Sequence, residues 1–324
     1  MRILLTGVSG FVGSHLAEYL LSQGHEVYGT VRWRSKTENI DHIRDQLHLR
    51  NADIKDAYSM RDAVRESQPD VLFHLASQSF VPESWKSPLE TLSINILGTC
   101  NVLEAVRSEC HDATVVVAGS SEEYGLVLPE ETPIKETNPL RPMSPYGISK
   151  TGTDYLGRLY HRSYGGKVIV VRPFNTTGPR RGEVFATSNF AKQIAEIEIL
   201  GKEPVIKVGN LEALRDWTDV RDMARAYWLA ATKCEPGEVY NICSGRTWPV
   251  RTMLEMLLAA SKVKIRIEQD PARLRPADVP ILHGDASKFK LQTGWSPAIP
   301  FEQTMSDLLD YWRAKTKAQK KILK

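Results

Sequence analysis

The chain has 324 residues, 42% of them hydrophobic and 25% charged, with a formal net charge of +3. That length suits a large α/β domain with a smaller one beside it, and so small a charge argues against a nucleic-acid partner. No apolar run reaches membrane-spanning length, and Cys100, Cys110, Cys234 and Cys243 lie apart without metal-ligand spacing, so membrane proteins, disulfide scaffolds and metal sites are excluded. The first residues enter a core strand directly and leave no room for a signal peptide, which predicts a cytoplasmic protein. Arg2–Thr6 is that strand, and it runs into Gly7-x-x-Gly10-x-x-Gly13 before a helix over Gly13–Gln23. Strand, glycine-spaced turn and helix in this order make a dinucleotide site, because glycines let backbone amides approach a pyrophosphate at the helix N-terminus. Gly7, Gly10, Phe11, Val12 and Gly13 are its residues.

Glu26–Val31 reads as the second strand. An NAD site usually ends this strand with Asp or Glu for the ribose 2′-hydroxyl. Here Arg32, Trp33, Arg34, Ser35 and Lys36 include no acid. Arg32 and Ser35 suit a 2′-phosphate, so NADP is expected ahead of NAD. Leu47–Ala52 is a third strand, followed by Asp53 and Ile54, which fall near the adenine, although Asp53 also suits a turn. Val71–Leu75 is a fourth strand, with Leu75 and Ala76 at its end, and Leu89–Arg107 reads as a long helix. Thr114–Ala118 is a buried strand that ends in the hydroxyls and carboxylates of Ser120, Ser121, Glu122 and Glu123.

The helix over Tyr146–Tyr164 follows, with Tyr146 and Lys150 four residues apart on one face. A lysine ammonium there lowers a phenol from its usual pKa of about 10 and makes it a base for a sugar hydroxyl while hydride leaves the same carbon. Lys167–Val171 closes a series of near-continuous Val/Ile/Leu strands separated by helices. This predicts a Rossmann-type doubly wound parallel sheet over residues 1–172. Beyond Pro173 the loops lengthen and helices fall at Phe190–Ile199, Val220–Ala231, Val250–Leu258 and Phe301–Tyr311. Residues 173–324 are therefore expected to form a smaller substrate-binding domain, with some segments returning to the sheet. The basic tail from Arg313 should be a frayed, solvated helix end. Arg180, Arg181, Arg215 and Arg275 in Pro/Gly-punctuated loops suit a nucleoside diphosphate, and Asn175 would orient it. His74, Trp85, Trp217 and Trp295 are expected to pack, and Glu122 and Glu123 to be either site groups or loop carboxylates facing water. The strand-end position favours a role for Glu122.

With these motifs the chain resembles the extended short-chain dehydrogenase/reductase family, and within it the GDP-mannose 4,6-dehydratase group. The resemblance rests on the glycine start, His74-Leu-Ala76, Ser77-Gln78-Ser79, Ser120-Ser-Glu122-Glu-Tyr-Gly125, Pro179-Arg-Arg-Gly-Glu183, Arg215-Asp-Trp217 and Arg275-Pro-Ala-Asp278. It implies a nucleotide-sugar enzyme in which Ser120 holds the sugar 4-oxygen, Tyr146 takes its proton, Lys150 supports the tyrosine and binds the nicotinamide ribose, and Glu122 removes the C5 proton. The implied substrate residues are Gln78, Ser79, Asn175, Arg180, Arg181, Asn189, Arg215, Arg275 and Asp278. GDP-mannose, NADP and a homodimer or homotetramer are the implied partners. The dehydratase pattern has an apolar residue where this chain has Glu123, and His-Glu where it has Thr176-Thr177. Reductases of 4-keto-6-deoxy sugar nucleotides share the Ser-Ser-Glu-Glu-Tyr-Gly run, and an epimerase uses the same first step. A non-catalytic nucleotide sensor is the reading from another class, opposed by the presence together of Ser120, Tyr146 and Lys150.

Overall fold

A computed structural model describes residues 1–273 and 279–322. In chain order its strands are β1 (Arg2–Thr6), β2 (Glu26–Val31), β3 (Leu47–Asn51), β4 (Val71–His74), β5 (Thr114–Ala118), β6 (Lys167–Pro173), β7 (Asn175–Thr177), β8 (Val205–Val208), β9 (Leu214–Asp219), β10 (Val239–Ile242), β11 (Thr247–Pro249), β12 (Arg266–Gln269) and β13 (Ile281–Leu282). The helices are α1 (Phe11–Ser22), α2 (Ala57–Ser67), α3 (Val81–Lys86), α4 (Pro88–Leu92), α5 (Gly98–Glu109), α6 (Pro145–Tyr164), α7 (Ala186–Leu200), α8 (Val220–Lys233), α9 (Val250–Ala259), α10 (Ser287–Thr293) and α11 (Phe301–Ile322).

Seven strands pair in parallel in the order β10-β6-β5-β4-β1-β2-β3. Their β-branched runs are buried on both sides, as a sheet covered by helices on each face requires. Leu16 and Leu20 of α1 and Met223 and Tyr227 of α8 cover one face, with Ile3, Leu5 and Phe73. Met60 and Val64 of α2, Val102 and Val106 of α5 and Tyr160 of α6 cover the other. The strand order reverses between β1 and β4, which opens a crevice at their carboxyl ends. A separate core joins α7, α9 and α11 through Phe190, Ile194, Met253, Leu254, Met305, Leu308 and Trp312, packed on Trp217 of β9.

Four features depart from expectation. The helix expected over Leu89–Arg107 is broken into α4, a π-turn at Ser93–Leu97 and α5. The buried Asn95 amide in that turn donates to the Gln78 carbonyl and to Ser149 Oγ, at 3.0 and 2.8 Å. The basic tail is not frayed: α11 runs on to Ile322, with Arg313 paired to Glu198 at 2.7 Å and Lys315 to Glu38 at 2.9 Å. Trp85, expected to pack, is 46% exposed, whereas Trp217 and Trp295 are buried. Helix α2, capped by the Asp56 carboxylate accepting from the Tyr58 N–H, was not anticipated.

Candidate active site

The crevice begins at the β1–α1 turn. Gly7 has a φ of +73°, and a Cβ on Gly13 would sit 2.3 Å from the Gly7 carbonyl oxygen, so the turn closes only with glycines. Gly10 caps α1 without a side-chain hydrogen bond, which leaves first-turn N–H groups for an anion. Across the switch point, Thr6 Oγ1 accepts from the Leu75 and Ala76 N–H groups, both at 3.1 Å. Its proton then goes to His74 Nδ1 at 2.9 Å, and His74 Nε2–H donates to Thr99 at 3.0 Å. Burial pushes the His74 imidazole down to about 3, so it serves as a neutral pin.

The resulting cleft encloses about 520 Å³ and extends along the strand ends. Gly7, Gly10, Phe11, Val12, Gly13, Arg32, Ser35, Asp53, Ile54, Leu75, Ala76, Tyr146 and Lys150 all line it. So do Ser120 and Glu122. Arg32 is exposed and has no carboxylate partner among the described residues. Asp53 is both a lining and a turn residue, since its Oδ1 accepts from the Lys55 N–H at 2.9 Å.

At the reacting end, Ser144 Oγ caps α6 by accepting from the Gly147 N–H at 3.0 Å, and Pro145 opens the helix. That cap sets Tyr146 in the first turn, facing Ser120. Burial pushes the Tyr146 phenol above its ordinary value and Glu122 and Glu123 raise it further; what draws it back is a hydrogen bond with Ser120 and the nearby Arg181, not the Lys150 ammonium expected from the spacing. The Lys150 ammonium donates to the Ala118 carbonyl at 2.8 Å, and burial brings it down to about 8. Glu122 is half-buried, and its N–H donates to Ser120 Oγ at 3.2 Å. Glu123 does not face water. The tight turn Ser121–Glu123 folds its carboxylate back beneath Ser120, where Oε1 accepts the Ser120 N–H at 2.6 Å and Oε2 meets Arg172 Nε at 3.1 Å.

Gln78, Ser79, Asn175 and Arg181 line the cleft too. The Gln78 amide is already engaged with Phe80 and Thr91, so it shapes the wall. The Arg181 guanidinium lies 3.4 Å from the Phe185 ring centroid and 4.9 Å from that of Phe11, without an acidic partner among the described residues. Burial lowers it to about 10, still charged at neutral pH. Among the described residues, Arg180, Arg181 and Arg215 do not gather in one place. Arg180, at φ +70°, turns away to pair with Glu18 of α1 at 2.5 Å. Arg215 is outside the cleft and donates to the Leu214 and Pro280 carbonyls. Asn189 is held between Glu183 and Arg273. Arg275 and Asp278 lie outside the described residues. Phe185 and Tyr227 line the cleft without having been anticipated; Tyr227 sits on the buried stripe of α8, a pattern that marks core in any helix.

Residues 4–308 match the family model described as GDP-mannose 4,6 dehydratase. The GDP-6-deoxy-D-mannose reductase of Pseudomonas aeruginosa is 33% identical over 98% of this chain and 99% of its own. The GDP-mannose 4,6-dehydratase of Yersinia enterocolitica is 33% identical over 95% of this chain and 92% of its own. The solved structure of RMD from Pseudomonas aeruginosa complexed with NADPH superposes with a TM-score of 0.84 at 31% identity, covering 97% of this chain and 100% of that one.

Proposed function

The chain belongs to the GDP-mannose 4,6-dehydratase family of extended short-chain dehydrogenases/reductases, and on that premise we propose that it is an NADP-dependent GDP-mannose 4,6-dehydratase. The observation that carries this reading is Glu122 in one cleft with Ser120, Tyr146 and Lys150, a carboxylate that serves as a second base beside the tyrosine. The uncapped α1 terminus, the glycine turn and the exposed Arg32 fit a dinucleotide with a 2′-phosphate. When bound, its nicotinamide supplies a reversible hydride acceptor. Ser120 holds the sugar 4-hydroxyl, and Tyr146 takes that proton. Once C4 is a ketone the C5 proton is acidic; Glu122 removes it and returns it to the departing C6 hydroxyl, which leaves as water, and the C5=C6 double bond so formed is saturated by the hydride taken from C4, returned at C6, and by a proton at C5. Arg181 and Asn175 hold the substrate diphosphate side. Incubation with GDP-mannose and catalytic NADP should give a 4-keto-6-deoxy product with no net consumption of cofactor. No turnover of any sugar nucleotide would remove the class.

Reduction of a 4-keto-6-deoxy sugar nucleotide is the second reading, favoured by the end-to-end match to the Pseudomonas reductase and by Thr176-Thr177. It would consume NADPH stoichiometrically, so the reduced-nicotinamide absorbance separates the two. The enzyme works as a homo-oligomer in this reading, because Leu89, Leu97, Ile148, Tyr155 and Leu159 stand 81, 59, 50, 55 and 48% exposed along α4–α6. A native mass of one chain would refute that. The four unpaired cysteines support a cytoplasmic location.

A further inference from the structure

Between β5 and α6 lies a fully buried ionic network that the reaction scheme does not use. Arg172 of β6 is 2% exposed, and Glu123 and Asp154 are 0%. Arg172 Nε donates to Glu123 Oε2 at 3.1 Å and to Asp154 Oδ2 at 2.9 Å, and its NH1 reaches the Tyr124 hydroxyl at 2.9 Å. Tyr124 in turn donates to Asn241 Oδ1 at 2.7 Å. Asp154 has a second cation, Arg158, at 2.7 Å. Asp154 is four residues past Lys150 on α6, while Glu123 grips the Ser120 N–H at 2.6 Å. One guanidinium therefore ties the serine turn to the helix of the tyrosine and lysine. We propose that Glu123 and Arg172 are positioning residues: the pair cross-links the Ser120 turn to α6, and the Glu123 carboxylate is the counter-charge to the Lys150 ammonium.

Three observations carry it. First, the backbone makes room for this carboxylate: a Cβ on Gly119 would sit 2.5 Å from Glu123 Oε1. Second, both Glu123 oxygens accept from N–H donors, the arrangement that an ionised carboxylate satisfies. Third, Lys150 is fixed to Ala118, two residues before Ser120, which brings its ammonium to the same strand end. Burial and the neighbouring Asp154 push the Glu123 carboxyl well above the ordinary carboxylate range, against the pull of Arg172, the Ser120 N–H and Lys150; the ionised form rests on the two N–H donors that its oxygens meet. Burial lowers Lys150, and Glu123 opposes that. The remaining groups around the pair are the buried His74, and Tyr146, whose own neighbours are Glu122 and Arg181. The dehydratase pattern has an apolar residue at position 123, so the charge departs from that pattern, as it does in the reductases that share the Glu122-Glu123 run.

The inference rests on Tyr146 and Lys150 as the proton-handling pair, and its test reads Lys150 directly. In the full-length protein labelled with 13C at the lysine ε-carbon, the resonance lost in Lys150→Met reports the ammonium, and it should titrate near pH 8. Glu123→Leu leaves Arg172 paired with Asp154 and should fold. Its Lys150 midpoint should fall by about one pH unit, and kcat should drop by up to about 100-fold with KM little changed. Glu123→Gln keeps an acceptor for the Ser120 N–H; it should shift the midpoint as far while retaining more of the rate. An unmoved midpoint in both variants, with only a lower melting temperature, overturns the proposal and leaves a network for stability alone. A midpoint that moves as expected in a protein that turns over neither GDP-mannose nor its 4-keto product upholds the proposal while refuting the assigned reaction.

Discussion

Glu122 is the residue on which the two readings of the reaction divide. Glu122→Gln is isosteric, sits on a turn and leaves Ser120, Tyr146 and Lys150 in place, so fold and nucleotide affinity should persist. Oxidation at C4 should survive and elimination should stall, with a loss of about 10²–10⁴-fold in dehydration. A single-turnover measurement should show reduced nicotinamide building up in the variant and only passing through in the parent. A loss below about tenfold, short of what a general base contributes, would leave Glu122 as a loop carboxylate and favour the reductase. Arg32 makes the corresponding statement about the cofactor. It lines the cleft without a carboxylate partner among the described residues. Arg32→Ala should weaken NADP binding by about 10- to 100-fold, the worth of a charge-assisted hydrogen bond. NAD binding should stay nearly constant, and equal losses for both nucleotides, measured by calorimetry, would contradict a 2′-phosphate site.

Among the elements, the β1–α1 turn has the least tolerance. Gly13→Ala places a methyl 2.3 Å from the Gly7 carbonyl oxygen, a backbone atom that cannot swing aside. The variant should lose dinucleotide binding and melt several degrees lower; unchanged binding would show a turn looser than the one described. This turn was legible in the sequence because glycine spacing between a strand and a helix has one structural meaning. The nucleotide wall was legible for the same reason, since each of its residues follows directly from a strand end. Glu123 and Arg180 were not. Whether a loop carboxylate faces water or folds under its own turn depends on a partner 49 residues away, Arg172. Arg180 and Arg181 look alike in sequence, yet adjacent backbone positions point them to opposite sides, one to Glu18 and the other to Phe185. The π-turn was hidden because Asn95 earns its place through Gln78 and Ser149, neither close in sequence. Helix α2 carried a visible Asp56 cap and the apolar spacing of Met60, Ala63 and Val64, two signals that suffice together.

For the whole molecule, two buried histidines set an acid limit. Burial brings His15 down to about 4 and His74 to about 3. Both are neutral when folded, and the unfolded chain takes up protons below its ordinary histidine value of about 6.5. Stability should therefore be fully present above that value and fall as pH drops through it toward the folded values, by about 2 kcal/mol per histidine near pH 5. Carboxylates held low by arginine, such as Glu198 beside Arg313, lose their contribution only at lower pH, below the ordinary carboxylate range. Melting temperatures at pH 7.5 and pH 5 should differ clearly, and His15→Gln should flatten the slope. A melting temperature constant across that interval would contradict the buried neutral histidines.

The parallel sheet is closed at one side by β10, which pairs with β6 through Val239–Val170 and Ile242–Pro173. Those residues are synthesised some way after β6, once the ribosome has passed through α7, β9 and α8. Until then, the emerging nucleotide half carries Val168–Val171 on an open edge, an apolar template for pairing with another chain. A fragment ending at residue 172 should accordingly aggregate on expression, and one ending after β10 should be far more soluble. The nascent chain would need its longest chaperone protection during that interval, before its seventh strand exists.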